Sequence, residues 1–107
     1  MQVYLEKSLR VDKKFRATII YEVDGETRHK IINFGANGYS DYTLGASDEQ
    51  QRAYVQRHKS KEDWDDPFTA GFWAYWFLWR TPSKRENLKA IELLLGVPVT
   101  TFQIRGT

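Results

Sequence analysis

The chain has no cysteine, which removes disulfides, thiolate zinc sites and thiol nucleophiles from consideration. No apolar run approaches the roughly 18 residues that read as a membrane span, so no membrane partner is expected. The opening "MQVYLEKSLR" lacks the basic, apolar and small-residue order of an export signal, and the expectation is a product not secreted by a signal of its own. The two histidines, His29 and His58, fall on different predicted elements, so no histidine pair has metal-ligand spacing. There is no internal repeat and no low-complexity segment. A strong charge of one sign is also missing: 16 basic against 14 acidic side chains leave a net charge of +2, which allows nucleic-acid binding without demanding it. The balance is +1 over residues 1–46, −2 over 47–66 and +3 over 67–107.

What is present is a globular composition, 41% hydrophobic and 28% charged over 107 residues, as expected of one domain with a modest core. Residues 1–46 read as a sheet followed by a glycine-rich loop, 47–96 as three helices, and 97–107 as a strand or tail. In "FRATIIYEVDGETRHKIINF", two β-prone runs flank Asp24-Gly25, a dipeptide suited to the positive φ angles of a two-residue hairpin turn. That register pairs Phe15 with Phe34, Ala17 with Ile32 and Ile19 with Lys30, and "VYLEKS" supplies a third strand with Val3 and Leu5 facing one way. Ser47 and Gln50 form a capping box for a first helix that ends in Arg57, His58 and Lys59. Asp66 is expected to cap a second helix with Pro67 in its first position. Ser83 with Glu86 opens a third, whose apolar stripe is Leu88, Ile91 and Leu95, and Gly96 stops it.

The second helix, "FTAGFWAYWFLWR", carries seven of the chain's 16 aromatic residues. At about 100° per residue, Phe68, Phe72, Tyr75, Trp76 and Trp79 share one arc. Trp73 and Phe77 widen it, and Ala70, Gly71, Ala74 and Leu78 form a smooth opposite side. A helix apolar nearly all round is a central rod. The predicted core is therefore Phe15, Ile32, Phe34, Phe68, Phe72, Trp73, Trp76, Trp79, Leu88 and Ile91. The fold class is α+β, a three-stranded antiparallel sheet packed on three helices.

Chemistry candidates are few. His58 and Glu62 share a helix face at i, i+4 if the first helix extends that far, with Asp63, Asp65 and Asp66 beyond; a helix end followed by a solvated acidic link explains them better than a metal or acid–base site. Ser40 and Asp41 lie in a glycine-bounded loop where nothing in the sequence sets His58 beside them, and Asp41 reads as a turn cap. No catalytic residue, metal or cofactor is assigned. Lys84 and Arg85 stand in the first turn of the third helix, where free amides and two cations suit an anion. With Arg16, Arg28, Lys30 and His29 on the sheet and Arg52, Arg57, Lys59 and Lys61 on or after the first helix, they make a candidate nucleic-acid surface.

The runs "NFGANGYSDYT", "RAYVQRHKSKEDWDDPFTAGFWAYWFLW" and "TPS" resemble a small uncharacterised family of large double-stranded DNA viruses of algae and protists. Its anchors match here at Phe34, Gly35, Gly38 to Thr43, Arg52, Tyr54, Arg57, His58, Glu62, Trp64, Asp66, Pro67, Thr69 to Trp73, Trp76, Leu78, Trp79 and Pro82. The resemblance covers roughly residues 12–95, departs in the tail from Gly96 to Thr107, and carries over no catalytic residue. It implies a viral product inside the host cell, in cytoplasm, nucleus or virion. The leading expectation is thus a small non-enzymatic binding module for double-stranded DNA or another nucleic acid. The alternatives are a minor virion component, held against capsid proteins by an aromatic surface, and a small metal-dependent nuclease or hydrolase using His58. Oligomeric state is left open.

Overall fold

A computed structural model describes residues 1–104 of the chain. Strands β1 (Gln2–Lys7), β2 (Lys13–Val23) and β3 (Glu26–Ala36) precede a 3₁₀ turn at Tyr42–Leu44, helices α1 (Asp48–His58), α2 (Ala70–Trp73, continued as a π-helix over Ala74–Trp79) and α3 (Lys84–Leu95), and strand β4 (Val99–Phe102). The sheet order is β3-β2-β1-β4, antiparallel except for β4, which runs parallel to β1. The three antiparallel strands expected are present, and β4 adds a fourth, parallel one. The "strand or tail" at 97–107 contains a strand over Val99–Phe102, and residues 105–107 lie outside the described residues.

The hairpin has the expected register, Phe15 opposite Phe34, Ala17 opposite Ile32 and Ile19 opposite Lys30. Asp24 and Gly25 both have positive φ, 52° and 80°, the pair of left-handed residues that matches a tight turn to the strands' twist. Val3, Leu5, Ala17, Ile19, Ile32 and Phe34 turn inward and are buried against Phe72, Trp73, Phe77, Leu78 and Ile91. Phe15, Phe68, Trp76, Trp79 and Leu88 are half-buried and pack around that centre. Each fully buried large apolar side chain contributes on the order of 2 kcal/mol, so the rod's contact with the sheet is the main source of stability.

The rod departs from the expected helix in two ways. Its N-cap is Thr69, whose hydroxyl accepts from the Phe72 amide. Asp66 and Pro67 form a preceding turn, in which Asp66 accepts from the Phe68 amide. The reason lies in Trp73: its wholly buried indole N–H needs an acceptor, and the Pro67 carbonyl provides it at 2.7 Å from this turn. Beyond Ala74 the winding widens to i→i+5, closed by the Arg80 amide on the Tyr75 carbonyl at 2.8 Å. This rotates the buried face. Phe72 with Phe77, and Trp73 with Leu78, are five residues apart and all buried, whereas the arc drawn at α-helical pitch put Leu78 on the smooth side.

Asn87, at 0% exposure, ties the rod to α3. Its Nδ2 donates to the carbonyls of Phe77 and Thr81, and its Oδ1 accepts from the amide and hydroxyl of Thr81. A fully satisfied buried amide stabilises; a half-satisfied one would not.

Candidate functional site

The cations expected to form one surface are dispersed. Arg16 lies on the outer sheet face opposite Glu6 and is ion-paired with it. Arg28 and Lys30 pair with Tyr21 and Ile19, so they project from the opposite face to Arg16 and His29. Both are exposed. Arg52 is exposed on α1 and Lys59 at its C-cap, and Arg57 borders a cleft. A common sheet-face groove reader is therefore not what the register builds: alternation sends neighbouring residues to opposite sides.

Lys84 and Arg85 keep their expected place in the first turn of α3, and the structure sets Lys84 beside cations that sequence reading left aside. A hollow of about 420 Å³ is lined by Lys7, Arg10, Lys13, Lys14 and Lys84. The β1–β2 turn that forms it is ordered by hydrogen bonds: Ser8 N–H to the Lys14 carbonyl (3.1 Å), Asn37 N–H to the Asp12 carbonyl (3.0 Å) and Asn37 Nδ2 to the Val11 carbonyl (2.9 Å). Arg10 is held by Asp12 through two hydrogen bonds, and the guanidinium lowers the Asp12 carboxyl below its ordinary range. Lys14 is held by Asp41 at 2.7 Å. Lys7, Lys13, Lys84 and Arg85 have no ion pair among the described residues. Leu9 and Val11, 81% and 91% exposed, stand at the tip of this turn. The signal for the site was the string "KSLRVDKK", whose meaning depends on α3 ending up next to it.

On the other side of Lys13 and Lys14 lies a cleft of about 580 Å³, bounded by the glycine-rich loop, α1 and the start of the rod. Asp41 is its buried corner, at 0% exposure. One carboxylate oxygen accepts from the Thr43 amide, the Thr43 hydroxyl and the Leu44 amide, and the other from Lys14. Asp41 thus caps the 3₁₀ turn, as its loop position suggested, and is fully occupied. Gly35 lets β3 pass close to the rod: its φ is +77°, and a Cβ there would lie 2.8 Å from Leu78 Cδ1.

His58 ends α1, and the chain folds back so that Glu62 Oε1 lies 2.5 Å from its Nδ1. The pairing foreseen from i, i+4 spacing forms although the helix has already stopped. Glu62 Oε2 also accepts from Trp64 Nε1 at 3.1 Å. Gly71 leaves room for this carboxylate, since a Cβ at 71 would fall on it. The His58 ring stacks on Tyr54 (4.2 Å between centroids), and Tyr54 stacks on Trp79 (4.5 Å). Burial, then the Glu62 charge, push the Tyr54 phenol well above its ordinary pKa, with Arg57 opposing, so its hydroxyl stays protonated. Ser40, Asp41 and His58 do border one cleft, which the sequence did not indicate, but the Ser40 hydroxyl faces the carbonyl of Asp41. Among the described residues, no group of three His, Cys, Asp or Glu side chains is arranged to hold a metal, and no helix is long and apolar enough to cross a membrane.

A comparison with curated proteins found no match, and one with solved structures found none either. Residues 3–58, which run from β1 to the end of α1 and include Lys13, Lys14, Gly35, Asp41, Tyr54 and His58, match DUF5754, a family of unknown function, and the chain belongs to that family.

Proposed function

We propose that the chain is a virus-encoded, non-enzymatic binding module that engages nucleic acid through the hollow between the β1–β2 turn and the start of α3. The carrying observation is the convergence of Lys7, Lys13 and Lys84, which have no ion pair among the described residues, around one hollow. Arg85 follows Lys84 in the same turn. Phosphate binding needs cations that are not already neutralised, which Arg16 is not but these are. Exposed Leu9 and Val11 beside them suit contact with sugar or base edges, since proteins that grip a groove commonly add apolar side chains to a cationic frame. The viral setting rests on the motif resemblance from Phe34 to Pro82.

Fluorescence anisotropy with duplex DNA, single-stranded DNA and RNA at two ionic strengths tests the reading. Three phosphate contacts imply a slope of log K against log salt of about −2.7 for duplex. Replacing Lys7, Lys13 and Lys84 together by Ala should flatten that slope, while Arg28→Ala with Lys30→Ala should leave it unchanged. Absence of binding at low salt, or an unaltered slope in the triple variant, defeats the proposal.

One observation favours a second reading, a virion component. The outer sheet face is uncovered: Ile31 is 55% exposed, and Phe102, 49% exposed, stacks on Tyr4 at 6.1 Å. The sheet-facing aromatics of the rod, Phe72, Trp73 and Phe77, are buried and take no part in this reading. Mass spectrometry of purified particles separates the two, since a stoichiometric copy number in the shell would favour the virion role.

A further inference from the structure

We propose that the cleft behind Lys13 and Lys14 is a binding site for a small nucleoside phosphate, recognised by Tyr54, His58, Arg57 and Lys13 and stacked by Tyr39. The proposal shares Lys13 with the nucleic-acid reading but does not require binding at the β1–β2 turn.

Its basis is a set of polar side chains at one cleft that have no partner among the described residues for the groups they offer. Tyr54 is 7% exposed, borders the cleft, and its hydroxyl has no hydrogen-bond partner among the described residues. Among the described residues the buried side-chain polar atom without a partner is Arg16 Nε, so the Tyr54 hydroxyl opens to the cleft and can bond a ligand there. Because burial keeps that hydroxyl protonated, it has a proton to donate at neutral pH. His58 is fixed on two sides: Glu62 faces Nδ1 and Tyr54 covers the ring. A carboxylate on one ring nitrogen assigns the proton to that atom and sets the other for a ligand. His58 Nε2 has no hydrogen-bond partner among the described residues, and the side chain remains 35% exposed.

The charge of the walls selects the ligand. Lys14 and Asp41 neutralise each other, and Glu62 is engaged by His58 and Trp64. Lys13 and Arg57 border the cleft with no ion pair among the described residues. The surplus is positive, and three donors, the Tyr54 hydroxyl, Lys13 and Arg57, face no built-in acceptor, which suits a phosphate. His58 Nε2, with the ring proton on Nδ1, is an acceptor for a ligand hydroxyl or amine. The volume of about 580 Å³ falls within the roughly 300–1,000 Å³ of small-ligand pockets and leaves room for more than an inorganic ion. Tyr39, 74% exposed at the cleft's edge, offers the flat face on which a base stacks.

The test is isothermal titration of the full chain with AMP, adenosine and inorganic phosphate, alongside amide chemical-shift mapping. AMP should bind at least tenfold more tightly than adenosine or phosphate alone and shift the amides of Tyr39 and of Tyr54 to His58. Tyr54→Phe keeps the ring stack and removes only the unclaimed donor; it should lower AMP affinity about tenfold, with the melting temperature unchanged. Tyr39→Ala should lower AMP affinity several-fold and leave phosphate affinity as it was. Lys84→Ala should not change AMP affinity. The site is disproved if AMP gives no heat and no shifts at 10 mM, if adenosine binds as tightly as AMP, if Tyr54→Phe binds AMP like the parent, or if the shifts cluster at Lys7 and Lys84 instead.

Discussion

The two sides of the aromatic rod are made of the same residue types and do different work. The side toward the sheet, Phe72, Trp73, Phe77 and Leu78, is dry and interlocked with Ile19, Ile32 and Phe34. Its aromatic contacts are tilted or edge-on, as between Phe34 and Phe77 at 82°. The side toward α1 and the acidic link is a set of parallel stacks, Tyr54 on Trp79 at 5° and Trp64 on Tyr75 at 9°, tied down by polar contacts such as Trp76 Nε1 to the Trp64 carbonyl at 2.7 Å. Rings at steep angles fill volume from all directions, whereas parallel rings with hydrogen-bonded edges hold one orientation. The first arrangement supports the fold, and the second positions Tyr54, His58 and Glu62 around the cleft.

The contrast can be broken at its strongest point first. Trp73→Ala should cost about 3–5 kcal/mol in urea unfolding, as for large-to-small changes in a closed core. Trp79→Ala, on the half-buried side, should cost roughly half as much while loosening Tyr54 and His58; equal losses at both positions would erase the distinction. Gly71→Ala sharpens it further. Helix propensity favours Ala by about 1 kcal/mol, yet the new Cβ must displace the Glu62 carboxylate, so stability should change by no more than about 1 kcal/mol while the ¹⁵N shift of His58 Nδ1 moves. An unmoved signal would mean that Glu62 does not set the imidazole. The smallest effect is alkaline. With its pKa raised on folding, Tyr54 keeps its proton in the native state after the unfolded chain has lost it, so stability present in full below about pH 10 declines as pH rises above it. Tyr54→Phe should remove that part of the decline.

Much of the sheet was legible because its signals are local. Alternation from Phe15 to Ile19, together with Asp24-Gly25, sets both faces and the register, and Ser47 with Gln50 marks where α1 begins. The rod's winding was not, because a helical wheel presupposes the pitch it tests: Phe72/Phe77 and Trp73/Leu78 at five-residue spacing were the visible hint of the wider turn. The basic hollow and the cleft were only half legible. His58–Glu62 spacing and the Lys84-Arg85 pair could be seen, but Lys7, Lys13, Tyr54 and Gly71 acquire meaning only through neighbours distant in sequence. The family match stops at His58, before Glu62, Gly71 and Trp79. The matched segment thus supplies one wall of the cleft, and the rod supplies the other.

The parallel pairing of β1 with β4, Val3 beside Val99, bears on how the chain reaches this state. Contacts between residues so remote in order are made late and slow the search. During synthesis β1 can join β2 early, but its other edge stays open until residues 99–102 have left the ribosome, and an open strand edge invites pairing with a neighbouring nascent chain. The last strand therefore acts as a seal on the sheet, and the interval before it arrives is when the chain is most prone to aggregate.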